Sequence, residues 1–83
     1  MLVEVAFEAG AAGYVHRHPH EQISYCIAGR FEYSRGDETH VLGVGDSIHV
    51  PGDTPHGARA LEAGTLLDVF TPLRKDLLGT ASA

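Results

Sequence analysis

Residues 10–29, GAAGYVHRHPHEQISYCIAG, place three histidines within five positions, at His16, His18 and His20, and follow them with Glu21 and Gln22. Alternate side chains of an extended segment share a face, so either His16 with His18 or His18 with His20 can point the same way. Spacing within the stretch leaves both pairings open. Whether these imidazoles hold a metal, and which of them do, depends on what surrounds them.

The chain has 83 residues, a formal charge of −5 and a single cysteine, Cys26. One small domain of this size gains only a few kcal/mol from its core, and such scaffolds commonly add disulfides, a metal or a partner subunit. An intrachain disulfide needs two cysteines, which leaves a metal, an oligomer or both. A lone cysteine suits a reducing compartment. Six basic residues scattered along the sequence form no cationic face, which argues against nucleic acid as a partner. No apolar run approaches the roughly 20 residues that span a bilayer. The N-terminal MLVEVAFEAG carries acids where a secretory signal carries bases. These features predict a cytoplasmic protein with neither a membrane nor a nucleic-acid partner.

Ten glycines and four prolines punctuate short stretches rich in β-branched and aromatic residues, and no segment keeps a helical period. This pattern predicts an all-β sandwich or barrel. Expected strands are residues 2–8, 14–18, 22–28, 31–35, 39–42, 47–50, 58–61 and 65–71. Expected turns are Ala28-Gly29-Arg30, residues 35–38, residues 43–46, Pro51-Gly52-Asp53 and Glu62-Ala63-Gly64, all with residues suited to tight or positive-φ positions. Residues 74–78 suit one helical turn, and residues 78–83 a fraying tail. Residues 1–83 are expected to form one domain.

Read outward from the histidines, residues 10–29 have the form G-x5-H-x-H-x3-Q-x6-G. A second pattern, G-x5-P-x-x-x2-H, runs from Gly45 through Pro51 to His56. In these two stretches the sequence resembles the cupin superfamily, whose first motif has that spacing with Glu or Gln at the fourth marked position. The second motif is matched at its Gly, Pro and His, while Asp53 stands where the family has glycine and Ala60 where it has asparagine. The resemblance implies a small jelly-roll β-barrel. It also implies an octahedral divalent metal held by His16, His18, Gln22 and His56. Imidazole suits Zn, Ni, Fe, Co and Mn, and a carboxamide oxygen adds a weak neutral donor, so the identity of the metal stays open. Four protein ligands leave positions for water or substrate, as in Lewis-acid sites. With no anionic ligand, the cation keeps its full charge and attracts carboxylate or enolate oxygens. His20, His40 and His49 fall outside the motif positions and are expected as surface or packing residues.

If Gln22 points inward, parity sends Ser24, Cys26 and Ala28 inward and turns Ile23, Tyr25 and Ile27 to the opposite face. Large apolar residues facing away from a barrel need cover, and a homodimer burying those three supplies it. Cys26 is then a buried small hydrophobe.

Downstream, Asp68, Phe70, Pro72 and Arg74 form D-x-F-x-P-x-R. Asp68 and Phe70 share a strand face, and Pro72 ends the strand. This tail, after a three-histidine and glutamine set, resembles the pectin-degradation cupins of the KdgF family. That resemblance implies conversion of cyclic 4,5-unsaturated uronates, released by pectin or alginate lyases, into linear 5-keto-4-deoxyuronate. It implies Asp68 as the proton-transfer group, Phe70 against the sugar face and Arg74 forked onto the uronate carboxylate. The plainer account of the same stretch is a solvated edge acid, a core ring and a surface ion pair. Two other functions fit the barrel: a different metal-dependent cupin enzyme, such as a dioxygenase or a carbonyl-acid isomerase, and a non-catalytic cupin binding a small carboxylate or sugar.

Overall fold

The structure, a computed structural model, describes residues 2–13 and 17–71. His16, Pro72, Arg74, the expected helical turn and the expected tail therefore lie outside the described residues. Five strands are formed: β1 (Leu2–Phe7), β2 (Glu21–Arg35), β3 (Glu38–Leu42), β4 (Ser47–Val50) and β5 (His56–Thr71). All pair antiparallel in one sheet. Among the described residues there is no helix, and so none long and apolar enough to cross a membrane.

The long strands β2 and β5 form the spine, paired from Glu21 opposite Thr71 to Arg35 opposite His56. The spine is interrupted by register shifts between Cys26 and Phe31. On one side of the interruption, β4 flanks Gln22–Tyr25 and β1 flanks the end of β5. On the other, β3 flanks Phe31–Arg35, and Ala12 bridges Arg59. The sheet thus has two halves hinged at one place. The core lies between them, with Cys26, Ile48, Val50 and Leu66 from one half and Phe31, Tyr33, Leu42 and Ala60 from the other. Phe7 of β1 meets Phe31 edge-on at 5.1 Å between ring centres. Full burial of Phe31 and of Val50 contributes about 1.5–3 kcal/mol each.

Two expected turns are bulges instead. Residues 22–28 and 31–35 belong to one strand, and residues 58–61 and 65–71 to another. Gly29 has φ of 79°, a left-handed backbone that glycine adopts without a Cβ clash. A Cβ on Gly64 would overlap the Ala28 carbonyl and lie 2.8 Å from the Gly29 Cα. The two glycines let the backbones of β2 and β5 touch where both bend, so the chain turns without leaving the ladder. Ala28, expected inside, is exposed, because the shift between Cys26 and Ala28 breaks the parity count. Of the expected strand over residues 14–18, Arg17 and His18 are not in a strand; the rest lies outside the described residues.

Asp53 stands at φ 59°, which accounts for the glycine that the cupin motif has at this position. Aspartate is among the few other residues that tolerate this conformation. The turn it makes is tied to the histidine loop by Asp53 N–H donating to the His18 carbonyl at 2.6 Å. Gly52 lies against the carbonyl of Pro19, where a Cβ would not fit.

Candidate functional site

Pairing register brings the motif residues together. On the inner face Gln22 lies opposite Phe70, and Ser24 opposite Asp68. Gln22 and Ser24 are buried, as alternation requires, whereas Ile23, Tyr25 and Ile27 are 38%, 39% and 38% exposed. His56 opens β5 and is buried. His18 reaches it from the loop anchored on Asp53, with ring centres 5.0 Å apart.

Both imidazoles are held by backbone carbonyls. His18 Nδ1 lies 2.9 Å from the His20 carbonyl oxygen, and His56 Nδ1 lies 2.8 Å from that of Thr54. A carbonyl only accepts, so each Nδ1 is the donor in this contact and each Nε2 is turned away from it. His18 Nε2 stands 3.0 Å from the amide oxygen of Gln22, an acceptor, so this pair of atoms suits a proton or a cation between them. Backbone carbonyls that fix Nδ1 and aim Nε2 are the usual support of metal-ligating histidines. The donor set of His18, Gln22 and His56 therefore fits a divalent transition metal. Among the described residues no group of three His, Cys, Asp or Glu converges, and His16, the remaining motif histidine, lies outside them.

Behind Gln22 is a buried polar chain that the sequence did not reveal. Gln22 Nε2 donates to Ser24 Oγ at 3.0 Å, Ser24 Oγ donates to Asp68 Oδ1 at 2.6 Å, and the Tyr33 hydroxyl meets Ser24 Oγ at 2.9 Å. Burial, opposed by the Ser24 hydrogen bond and aided by the nearby Asp68 charge, pushes the Tyr33 hydroxyl up to about 12. It stays protonated and able to donate. Its ring lies parallel to that of His56, with centres 6.5 Å apart. Parity counted from Gln22 puts Tyr33 outside; the bulges reverse the phase and bring it in.

Phe70 packs edge-on against His18, a motif histidine, at 5.5 Å between ring centres. His20 contributes its carbonyl to His18. His40 and His49 are exposed and sit beside Glu38 and Glu21, at 2.8 and 3.1 Å, consistent with surface roles.

A cavity of about 200 Å³ inside the sheet is bounded by Phe7 and Leu66 on its apolar wall and by Gln22, Tyr33, His56 and Asp68 on its polar side. Small-molecule sites typically start near 300 Å³, so this one suits a single small ligand and not a polymer. A larger cleft of about 330 Å³ lies outside, lined by Arg35, His40, Asp46 and His49 among others. There Arg35 is engaged by Glu38 and the His49 carbonyl, and the motif residues are elsewhere. The inner cavity is the candidate site.

Residues 3–70 match the family described as Cupin domain. The pectin degradation protein KdgF of Dickeya dadantii (strain 3937) is 41% identical over 80 residues, covering 94% of this chain and 73% of that protein. The structure of KdgF from Halomonas sp. is similar with a TM-score of 0.86 and 42% identity, over 93% of this chain and 72% of that one. An RmlC-like cupin from Shewanella frigidimarina NCIMB 400 is similar with a TM-score of 0.86 and 43% identity, over 93% of this chain and 69% of the other.

Proposed function

The chain belongs to the cupin family, and on that premise we propose that it converts 4,5-unsaturated uronate monosaccharides into linear 5-keto-4-deoxyuronate. One observation carries this reading: Gln22, His56 and Asp68 face one cavity of about 200 Å³ in a chain 41% identical to a pectin degradation protein. His16, His18, Gln22 and His56 are the residues that would hold a divalent metal, of Zn, Ni, Fe, Co or Mn character. Bound there, it supplies Lewis acidity toward sugar oxygens.

The reaction is an isomerisation, so atoms balance within the sugar. The anomeric hydroxyl loses its proton, the C1–ring oxygen bond breaks, and its electron pair leaves with the ring oxygen as an enolate. C4 then takes a proton as the C5 ketone forms. Asp68 serves both transfers, first as base and then as acid. Its Oδ1 is fixed by Ser24, which orients the carboxylate and leaves Oδ2 for the substrate. The apolar wall of Phe7 and Leu66 keeps water from the enolate. Phe70 and Arg74 are assigned to the substrate, the ring against the sugar and the guanidinium on the uronate carboxylate, a planar fork lysine cannot reproduce.

The same reading includes a homodimer in which a second copy covers Ile23, Tyr25 and Ile27. The activity is tested by adding purified, metal-analysed protein to lyase-generated unsaturated uronate monomer and following loss of the ring alkene absorbance. Acceleration over buffer is expected. A rate equal to buffer for metal-loaded protein overturns the proposal.

A further inference from the structure

We propose that Ser24 and Tyr33 are positioning residues: anchored on Asp68, they lock the Gln22 carboxamide with its oxygen, not its nitrogen, toward His18. The inference rests on the reading of Gln22 as a cation ligand and adds how the ligand is prepared.

The direction of each hydrogen bond follows from counting protons. A carboxylate has none to give, so in the 2.6 Å contact with Asp68 Oδ1 the donor is Ser24. Its one proton spent, Ser24 Oγ can only accept. The Tyr33 hydroxyl at 2.9 Å is then a donor to it, and so is the Gln22 nitrogen at 3.0 Å. Tyr33 also stands 3.5 Å from that nitrogen. With the NH2 end of Gln22 committed, Oε1 is left beside His18 Nε2 at 3.0 Å.

This orientation is not the one an unconstrained glutamine would choose. Beside an imidazole lone pair, an isolated carboxamide turns its NH2 outward and makes a hydrogen bond. Here that turn would set Oε1 against the oxygen of Ser24, whose proton is held by Asp68. The half-buried acid thus sets, through one hydroxyl, which end of the amide meets the histidines. Tyr33 links this chain to the second ligand, because its ring lies parallel to His56 while its hydroxyl meets Ser24. Ser24 and Tyr33 are both buried, so water offers them no alternative partner.

The experiment is a chelator-competition titration of metal-free protein with Co(II) and with Zn(II), on wild type, Ser24→Ala, Tyr33→Phe and Ser24→Thr. Loss of a group that supports a ligand typically lowers metal affinity about 10-fold to 100-fold. That loss is expected for Ser24→Ala, a smaller one for Tyr33→Phe, and recovery toward wild type for Ser24→Thr. A double-variant cycle separates orientation from general damage. In a Gln22→Glu background the ligand presents an oxygen whichever way it turns, so Ser24→Ala should cost no affinity. An equal loss in both backgrounds, or undiminished affinity in Ser24→Ala and Tyr33→Phe alike, overturns the inference. Should Ser24→Ala fail to fold, Tyr33→Phe in the two backgrounds decides the same point. Wild type that binds neither ion would instead overturn the reading of the site itself.

Discussion

Ser24 and Tyr33 lie nine residues apart on one strand, yet their hydroxyl oxygens are 2.9 Å apart. A straight strand would separate nine residues by about 30 Å. The contact exists because β2 folds back on itself at Gly29, with β5 bending alongside at Gly64. The polar side of the cavity is therefore a product of the bend: one limb of β2 brings Gln22, the other brings Tyr33.

Gly64→Ala should accordingly destabilise the protein by about 2–3 kcal/mol, the scale of overpacking a tight contact. Its φ lies outside the left-handed region, so the effect is steric and not conformational. Gly36→Ala is the contrasting case. Gly36 has φ of 60° but nothing within 4 Å of an added Cβ, and its cost is about 1–2 kcal/mol from backbone strain alone. Urea unfolding of the two variants makes the comparison; a smaller loss for Gly64→Ala than for Gly36→Ala would argue that close approach of the strands is not what sets the bend.

Much of this fold is readable from residue patterns. Short β-branched and aromatic stretches between glycines and prolines predict an all-β chain, the expected strand at residues 47–50 is β4, and parity from Gln22 puts Ser24 and Cys26 inside and Ile23, Tyr25 and Ile27 outside. The count failed where bulges insert a residue without a compositional signal that differs from a turn. Ala28-Gly29-Arg30 has the chemistry of a tight turn, and only the facing Gly64 makes it a bend in a continuous ladder. The same phase error hid Tyr33. Backbone support of His18 and His56 was also invisible, since any residue can offer a carbonyl and only the folded loops place those of His20 and Thr54. The Ser24–Asp68 bond spans 44 residues, a separation on which local spacing says nothing.

Asp68→Asn isolates proton transfer from positioning. Asparagine keeps an oxygen that can accept from Ser24, so the chain to Gln22 survives and metal content should match wild type. What is lost is the carboxylate proposed to exchange a proton with the sugar, and removing such a group typically costs about 100-fold to 10,000-fold in rate. Turnover of unsaturated uronate monomer, measured beside metal analysis of the same sample, checks both halves. Activity within a few fold of wild type would remove Asp68 from the chemistry.

Cys26 supplies a pH test that is independent of the site's chemistry. Its side chain is fully buried, and burial, partly countered by a hydrogen bond with the Ala28 backbone and reinforced by the Asp46 charge, pushes the thiol up. The folded state therefore holds the thiol proton at pH values where the unfolded chain has released it. Stability from this source is fully present below about pH 8.5, the ordinary thiol value, and declines as pH rises beyond it. Native protein should react with iodoacetamide far more slowly than unfolded protein at neutral pH, and Cys26→Ala should flatten the onset of the alkaline decline in unfolding free energy. Rapid alkylation of the native thiol would contradict the burial argument.

The outer face of β2 makes the last prediction. Ile23 lies opposite Val69, and Tyr25 opposite Leu67, while Leu2 continues the first row from β1. Ile23, Tyr25, Ile27, Val69 and Leu2 are all exposed, so apolar rows run across three adjacent strands on the side away from the cavity. A second copy set on this face would take those side chains out of water. Light scattering at micromolar concentration should give twice the chain mass for wild type. Ile23→Asp places an unpaired charge at the centre of that contact and should weaken association by at least about 2 kcal/mol, the scale of an interface hot spot, while leaving the inward-facing residues untouched. A wild-type mass equal to one chain would remove the dimer, and a dimeric Ile23→Asp variant would move the interface elsewhere.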